Sequence, residues 1–199
     1  MNQISLKKNF NTKKKSLIDA LKFLNSEINQ IENLIEIITK SIKKKGKILL
    51  CGNGGSAADA QHLAAEFLVR LRPNVNRVPI PAMSLAMDTS TITACGNDYS
   101  FDKLFSRSLE ALANKNDILI VISTSGNSKN ILNVLKTAKK NKIFSLGFLG
   151  KKGGKAKKYC DKSIVVKSSN TATIQETHIF LGHYIFEEVE KKLLKNNFL

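Results

Sequence analysis

After Gly46 the chain switches repeatedly between two hydrophobic patterns, and this alternation limits the fold more than any other feature. Short apolar, β-branched runs stand at Ile48-Leu49-Leu50, Ile80 to Leu85, Ile118 to Ile122, Ile143 to Phe148 and Ile164-Val165-Val166. They are continuous rather than alternating with polar residues, as in parallel strands buried on both faces. Between and after them, 60–71, 101–113, 128–140 and 173–194 carry helical patterns. Repeated β-α units with right-handed crossovers build a doubly wound, three-layer α/β/α domain around a mainly parallel sheet of about five strands. Ligands of such sheets sit beyond the carboxyl ends of the strands.

The segment before this core has a different rhythm. Leu17, Leu21, Leu24, Ile28, Ile31, Ile35, Ile38 and Ile42 are spaced alternately four and three apart. Sustained over that length, the stripe predicts a long N-terminal helix whose apolar seam needs a partner, either its own sheet or another subunit. The reading favours another subunit, hence an oligomer. The chain is thus expected to be one domain over 1–199, with a helical extension at 1–45 and an α/β core at 46–199. With 199 residues, 42% of them hydrophobic, it can bury a core of that size.

A formal charge of +16 raises the question of nucleic acid. The lysines are dispersed, and runs such as Lys13-Lys14-Lys15, Lys43-Lys44-Lys45 and Lys157-Lys158 have no interleaved aromatics on which bases would stack. Nucleic acid is therefore not expected; the charge reads as a solvated surface that also draws anionic substrates at long range. No apolar stretch approaches the roughly 18 residues of a membrane span, and lysines from Lys7 to Lys15 interrupt any signal-peptide core. A cytoplasmic location without membrane attachment follows. The three cysteines, Cys51, Cys95 and Cys160, suit reduced thiols rather than a disulfide framework.

Two loops follow strands. Gly52-Asn53-Gly54-Gly55-Ser56 has neither the dinucleotide nor the P-loop glycine spacing, so no nucleotide or organic cofactor is expected. It serves either as a tight βα turn or as a place where a ligand approaches the backbone. Ser123-Thr124-Ser125-Gly126-Asn127-Ser128 occupies the equivalent place after another strand. Four hydroxyl residues in six positions exceed what a helix cap needs and read as a phosphate cradle, using hydroxyl and N–H donors rather than metal and lysine.

Three polar clusters remain. His62 and Glu66, four apart, share a helix face behind the glycine loop; such a pair is either a surface contact or a general base beside a metal-binding or proton-shuttling imidazole. Near the other end lies Gln175-Glu176-Thr177-His178-Ile179-Phe180-Leu181-Gly182-His183. His178 and His183 differ by about 140° on a helical wheel and are not expected to share a site. His183 is the functional candidate, because Gly182 permits a close approach, and His178 is read as structural or supporting. Asn97-Asp98, after Cys95-Gly96, reads equally as a turn or as a loop that orients sugar hydroxyls.

Together, C-G-N-G-G-S at 51–56, D-A-Q-H-L-A-A-E at 59–66, C-G-N-D at 95–98, S-T-S-G-N-S at 123–128 and I-Q-E-T-H-x-x-x-x-H at 174–183 resemble the phosphoheptose isomerase family of the sugar-isomerase (SIS) fold. The resemblance runs from the N-terminal helix to His183. It implies conversion of sedoheptulose 7-phosphate to D-glycero-D-manno-heptose 7-phosphate through an enediol, an early step toward heptose for lipopolysaccharide or another surface polysaccharide. It implies further that Asn53, Gly54 and Gly55 contact the sugar, that Ser123, Thr124, Ser125 and Ser128 hold the phosphate, and that Asn97, Asp98 and Gln175 line the same site. The family's catalytic pair falls on Glu66 and His183. Zinc, bound in some members, would take His62, Glu66, Gln175 and His183, and the family's usual homotetramer agrees with the heptad stripe. Thr173 stands where members often carry arginine. Two other readings stay within the fold: a non-catalytic protein that binds a replication-initiation partner, whose known examples lack the residues matching Glu66 and His183, or an isomerase of another sugar phosphate.

Overall fold

The computed structural model describes residues 3–196 and 198–199; positions 1 and 2 of the expected extension, and position 197, lie outside the described residues. Two helices open it, α1 (Gln3–Leu24) and α2 (Ile28–Lys43), joined by a 3-10 turn at Asn25–Glu27. The alternation read from the sequence follows: β1 (Ile48–Gly52), α3 (Gly55–Ala65), β2 (Ala82–Ser84), α4 (Thr89–Asp98), α5 (Leu104–Leu112), β3 (Ile118–Ser123), α6 (Lys129–Lys140), β4 (Phe144–Gly150), β5 (Lys162–Val166) and α7 (Thr171–Lys195).

The five strands form one parallel sheet in the order β2-β1-β3-β4-β5. From β1 the chain first moves to β2 on one side and then returns to β3 on the other. The direction of winding therefore reverses between β1 and β3, which are in register from Ile48↔Ile118 to Gly52↔Ile122. Such a reversal leaves a crevice at the carboxyl ends of the two strands. The glycine loop and the serine loop both open there.

Side chains alternate across each strand, and both sides are covered. Ile48, Leu50, Ile118, Ile120 and Ile122 pack with Leu34 and Ile38 of α2, Leu63 of α3 and Leu181 and Ile185 of α7. Leu49, Cys51, Leu119 and Val121 face Leu104 and Leu109 of α5 and Ile131 and Leu135 of α6. Double coverage is why these strands read as continuous apolar runs. Burying each Leu or Ile stabilises the fold by about 1.5–3 kcal/mol.

Five readings need adjustment. In the heptad stripe, Ile31, Ile35, Ile38 and Ile42 are buried within the chain's own core, so its own sheet and α7 supply the partner; Ile28, just past the 3-10 turn, is 49% exposed. The run Ile80 to Leu85 pairs only at Ala82–Ser84, because Pro79 and Pro81 lack donors for a ladder and β2 lies at the sheet edge. The helix read at 60–71 begins at Gly55 and changes after Ala65 into a π turn, Glu66–Arg70, and that read at 101–113 divides into a 3-10 turn and α5. Asn97 and Asp98 are not in a loop: they end α4, whose start is fixed by Asp88 accepting from the N–H groups of Ser90 and Thr91.

Candidate functional site

The crevice is held together by a pair of amides. Asn53, after β1, donates to Asn130 Oδ1 at 2.9 Å, and Asn130, in the first turn of α6, donates back to Asn53 Oδ1 at 2.8 Å. Asn130 also accepts from the Ile131 N–H, so it caps its own helix while fixing the glycine loop to the serine loop. Nothing in its local pattern distinguishes it from a surface asparagine; only the switch point gives it a partner.

The serine loop is shaped from within. Ser123 Oγ accepts from Gly126 N–H at 3.0 Å, and Ser125 Oγ accepts from Asn127 N–H at 3.2 Å. Each hydroxyl thereby keeps its own O–H to donate, which is the polarity a phosphate oxygen requires. The same bonds occupy two backbone donors, the N–H groups of Gly126 and Asn127. Ser128 stands at the α6 N-cap without a capping hydrogen bond from its side chain. Gly126 has φ +62°, and a Cβ there would fall 2.0 Å from the Gly153 carbonyl oxygen, so no other residue fits this turn. A cavity of about 900 Å³ adjoins the loop, lined by Ser125 and Asn127 and ringed by Lys151, Lys152, Lys157 and Lys167. Lysines thus stand around the expected anion subsite in addition to the hydroxyl and N–H donors read from the sequence.

The third part of the site is a meeting of α3 and α7. Their close packing depends on Gly182, where a Cβ would fall 2.5 Å from Leu63 Cδ1. Next to that contact, His62 Nε2 and His183 Nε2 are 2.7 Å apart with the rings edge-on at 74°, so one ring donates and the other accepts. His62 Nε2 lies 3.3 Å from Glu66 Oε1. Ligand atoms of His62, Glu66 and His183 all fall within 4.8 Å of one another, a spacing at which one metal ion can touch all three. Burial, and then the neighbouring His62, hold the His183 pKa below its ordinary value, against an opposing pull from Glu66. The lowering favours the neutral imidazole, which can donate from one ring nitrogen and accept at the other.

Gln175 sits near the start of α7. Its amide lies against the glycine loop, with Nε2 2.4 Å from where a Gly55 Cβ would be, and the eight residues to His183 span an axial rise of about 12 Å. Asn97 donates to Asp98 Oδ1 at 2.8 Å, and both are exposed at the end of α4. Thr173 is buried against α1, 3.4 Å from Ser16 Oγ, so this position faces the N-terminal helix. His178 is fully buried beside Phe148 and burial lowers its pKa to about 4, as befits a core residue. Asp59, given no role from sequence, lies one turn before His62; Oδ2 is buried without a hydrogen bond, and desolvation raises its pKa to about 6. Its place in D-A-Q-H, three residues before the histidine, is the signal by which it was legible.

The SIS domain family profile matches residues 10–147. A phosphoheptose isomerase of Clostridium acetobutylicum is 45% identical over 191 residues, covering 96% of this chain and 94% of that protein. Among solved structures, a phosphoheptose isomerase from Neisseria gonorrhoeae superposes with a TM-score of 0.84 at 36% identity, over 95% of this chain and 98% of that one. One from Francisella tularensis gives 0.87 at 31% identity, over 96% and 100%.

Proposed function

The chain belongs to the SIS domain family and is an aldose-ketose isomerase of sedoheptulose 7-phosphate, and from that premise we propose that Glu66 and His183 carry its chemistry. The product is D-glycero-D-manno-heptose 7-phosphate. The observation that carries this reading is the convergence of an imidazole from α7 on a carboxylate and imidazole from α3, beside loops able to grip a phosphate.

Isomerisation moves the carbonyl from C2 to C1 by way of an enediol. Glu66 takes the proton from C1 and returns it to C2, while His183 passes a proton between the two sugar oxygens. Each proton-transfer role contributes on the order of 10²–10⁴-fold. Ser123, Thr124, Ser125 and Ser128 anchor the phosphate, and Asn53, Gly54, Gly55, Asn97, Asp98 and Gln175 contact the sugar. Anchoring the distant phosphate matters because it presents C1 and C2 repeatedly in one geometry.

A zinc ion fits the His62, Glu66 and His183 donors and, when bound, supplies Lewis-acid polarisation of the carbonyl. Gln175 is the fourth ligand that the family resemblance implies. The chain acts as one SIS domain in a cytoplasmic homotetramer. Apolar side chains left outside the core support association: Val69 is 73% exposed and Phe180 49%. Among the described residues no helix is long and apolar enough to cross a membrane.

The test is a panel of ketose phosphates of five, six and seven carbons, with products followed by NMR. Turnover of the seven-carbon substrate alone supports the reading. Preferred turnover of a shorter sugar redirects it to another isomerase, and binding without turnover of any supports a binding protein. Elemental analysis of protein purified without a nickel column checks the zinc.

A further inference from the structure

We propose that Arg77 is a positioning residue for Glu66, acting through a buried clamp that joins α3 to α7. This rests on the role assigned to Glu66 above and adds to it a residue that touches no substrate. The starting point is the π turn. The π turn Glu66–Arg70 extends α3, and each of its carbonyls has two lone pairs with which to accept. Arg77, at the entry to β2, supplies donors for two of them: Nη2 donates to the Glu66 carbonyl and Nη1 to the Phe67 carbonyl, each at 2.9 Å. Nη1 also donates to the Val78 carbonyl at 2.9 Å.

The remaining edge of the guanidinium turns to the other helix. Nε donates to Glu190 Oε2 of α7 at 2.5 Å, with the Arg77 side chain 0% and the Glu190 side chain 1% exposed. One planar group thus holds the backbone of the proposed base and an anchor on the helix that carries His183. Stacking of Phe67 on Phe186, with ring centroids 3.9 Å apart, reinforces the same join. A buried ion pair is weak as a source of net stability, because desolvation offsets its attraction. Its fixed fork is well suited to geometry, and a lysine cannot reproduce it.

Glu190 has a second partner that serves as an internal control. Arg72 Nε donates to Oε1 at 2.7 Å, is 27% exposed, and makes no hydrogen bond to the π turn. The two arginines therefore share one carboxylate, while only Arg77 reaches the Glu66 carbonyl.

The experiment compares Arg77→Lys, Arg72→Lys and Glu190→Asp. The last keeps every charge but withdraws the carboxylate, and it stands in for Arg77→Lys should that variant not fold. For Arg77→Lys and Glu190→Asp, kcat for the seven-carbon ketose phosphate falls about 10- to 100-fold with KM within about twofold, the scale expected when a reacting group shifts by about 1 Å. Arg72→Lys keeps kcat within about twofold. In the substrate-free protein, side-chain ¹⁵N resonances of His62 and His183 at one fixed pH move in the first two variants and stay in the third. Folded Arg77→Lys with wild-type kcat and unmoved resonances overturns the proposal, as does an equal loss in Arg72→Lys. Should the wild type turn over no sugar phosphate, the functional reading fails, and the resonances alone decide whether the clamp exists.

Discussion

The serine loop and the α3–α7 contact, the two parts of the proposed site, are built by different means. The loop is shaped by bonds between residues two and three apart, Ser125 to Asn127 and Ser123 to Gly126, with a glycine at the one turn that excludes a Cβ. The histidine contact joins residues 121 positions apart and exists only because two helices pack face to face over Gly182 and Leu63. A local device can hold a ligand group in place wherever it is grafted. A contact made by tertiary packing ties chemistry to the stability of the fold, so its positioning and its failure are shared with the core.

The sharpest test of that division is Glu66→Gln, which removes the base and leaves the packing. We expect kcat to fall about 10²–10⁴-fold with unchanged circular dichroism. A near wild-type rate would take Glu66 out of the chemistry and leave the helical half without its main function.

The next effect separates the two faces of α7 by pH. The unfolded chain protonates His178 below about 6.5, whereas the folded one does so only below about 4. The unfolded state binds more protons between these values, so stability is lost as pH falls through that window, by up to about 3 kcal/mol. His178→Leu should flatten this part of the urea-denaturation stability profile relative to wild type. Parallel profiles would mean that the ring is not held neutral by burial.

Gly182→Ala addresses the packing on which the contact depends. The added methyl meets Leu63, and we expect a loss of about 1–3 kcal/mol in chemical denaturation together with a reduced kcat. Loss of stability with full activity would show that the helices can separate without disturbing the histidines. The smallest change is expected at Ser125→Ala: KM rises about tenfold, equivalent to about 1.4 kcal/mol, and kcat is largely kept. If kcat fell as it does for Glu66→Gln, the loop would be part of the chemistry and the division would collapse.

The same contrast governs what was legible in the sequence. Most strand runs, the placement of both loops after strands and the separation of His178 from His183 follow from local periodicity, and the structure agrees with them. The partner of the N-terminal stripe did not follow, since an apolar seam at Ile31, Ile35, Ile38 and Ile42 looks the same whether its own sheet or another subunit covers it. Asn97 and Asp98 were misread as a loop because C-G-N-D resembles a turn, while the capping signal of Asp88 lay ten residues earlier. The π turn at Glu66 leaves no mark in composition. Asn130 and Arg77 acquire meaning only from partners brought by tertiary structure.

The central claim, that a carboxylate moves a proton between two sugar carbons, is tested most directly by running the reaction in deuterated water. His62, beside Glu66, has a side chain 48% exposed, so the proton in transit can exchange with solvent. The account predicts that aldose phosphate formed from sedoheptulose 7-phosphate carries deuterium at C2. Product formed at the full rate without deuterium at C2 would contradict a carboxylate open to solvent exchange and leave a direct hydride shift as the alternative.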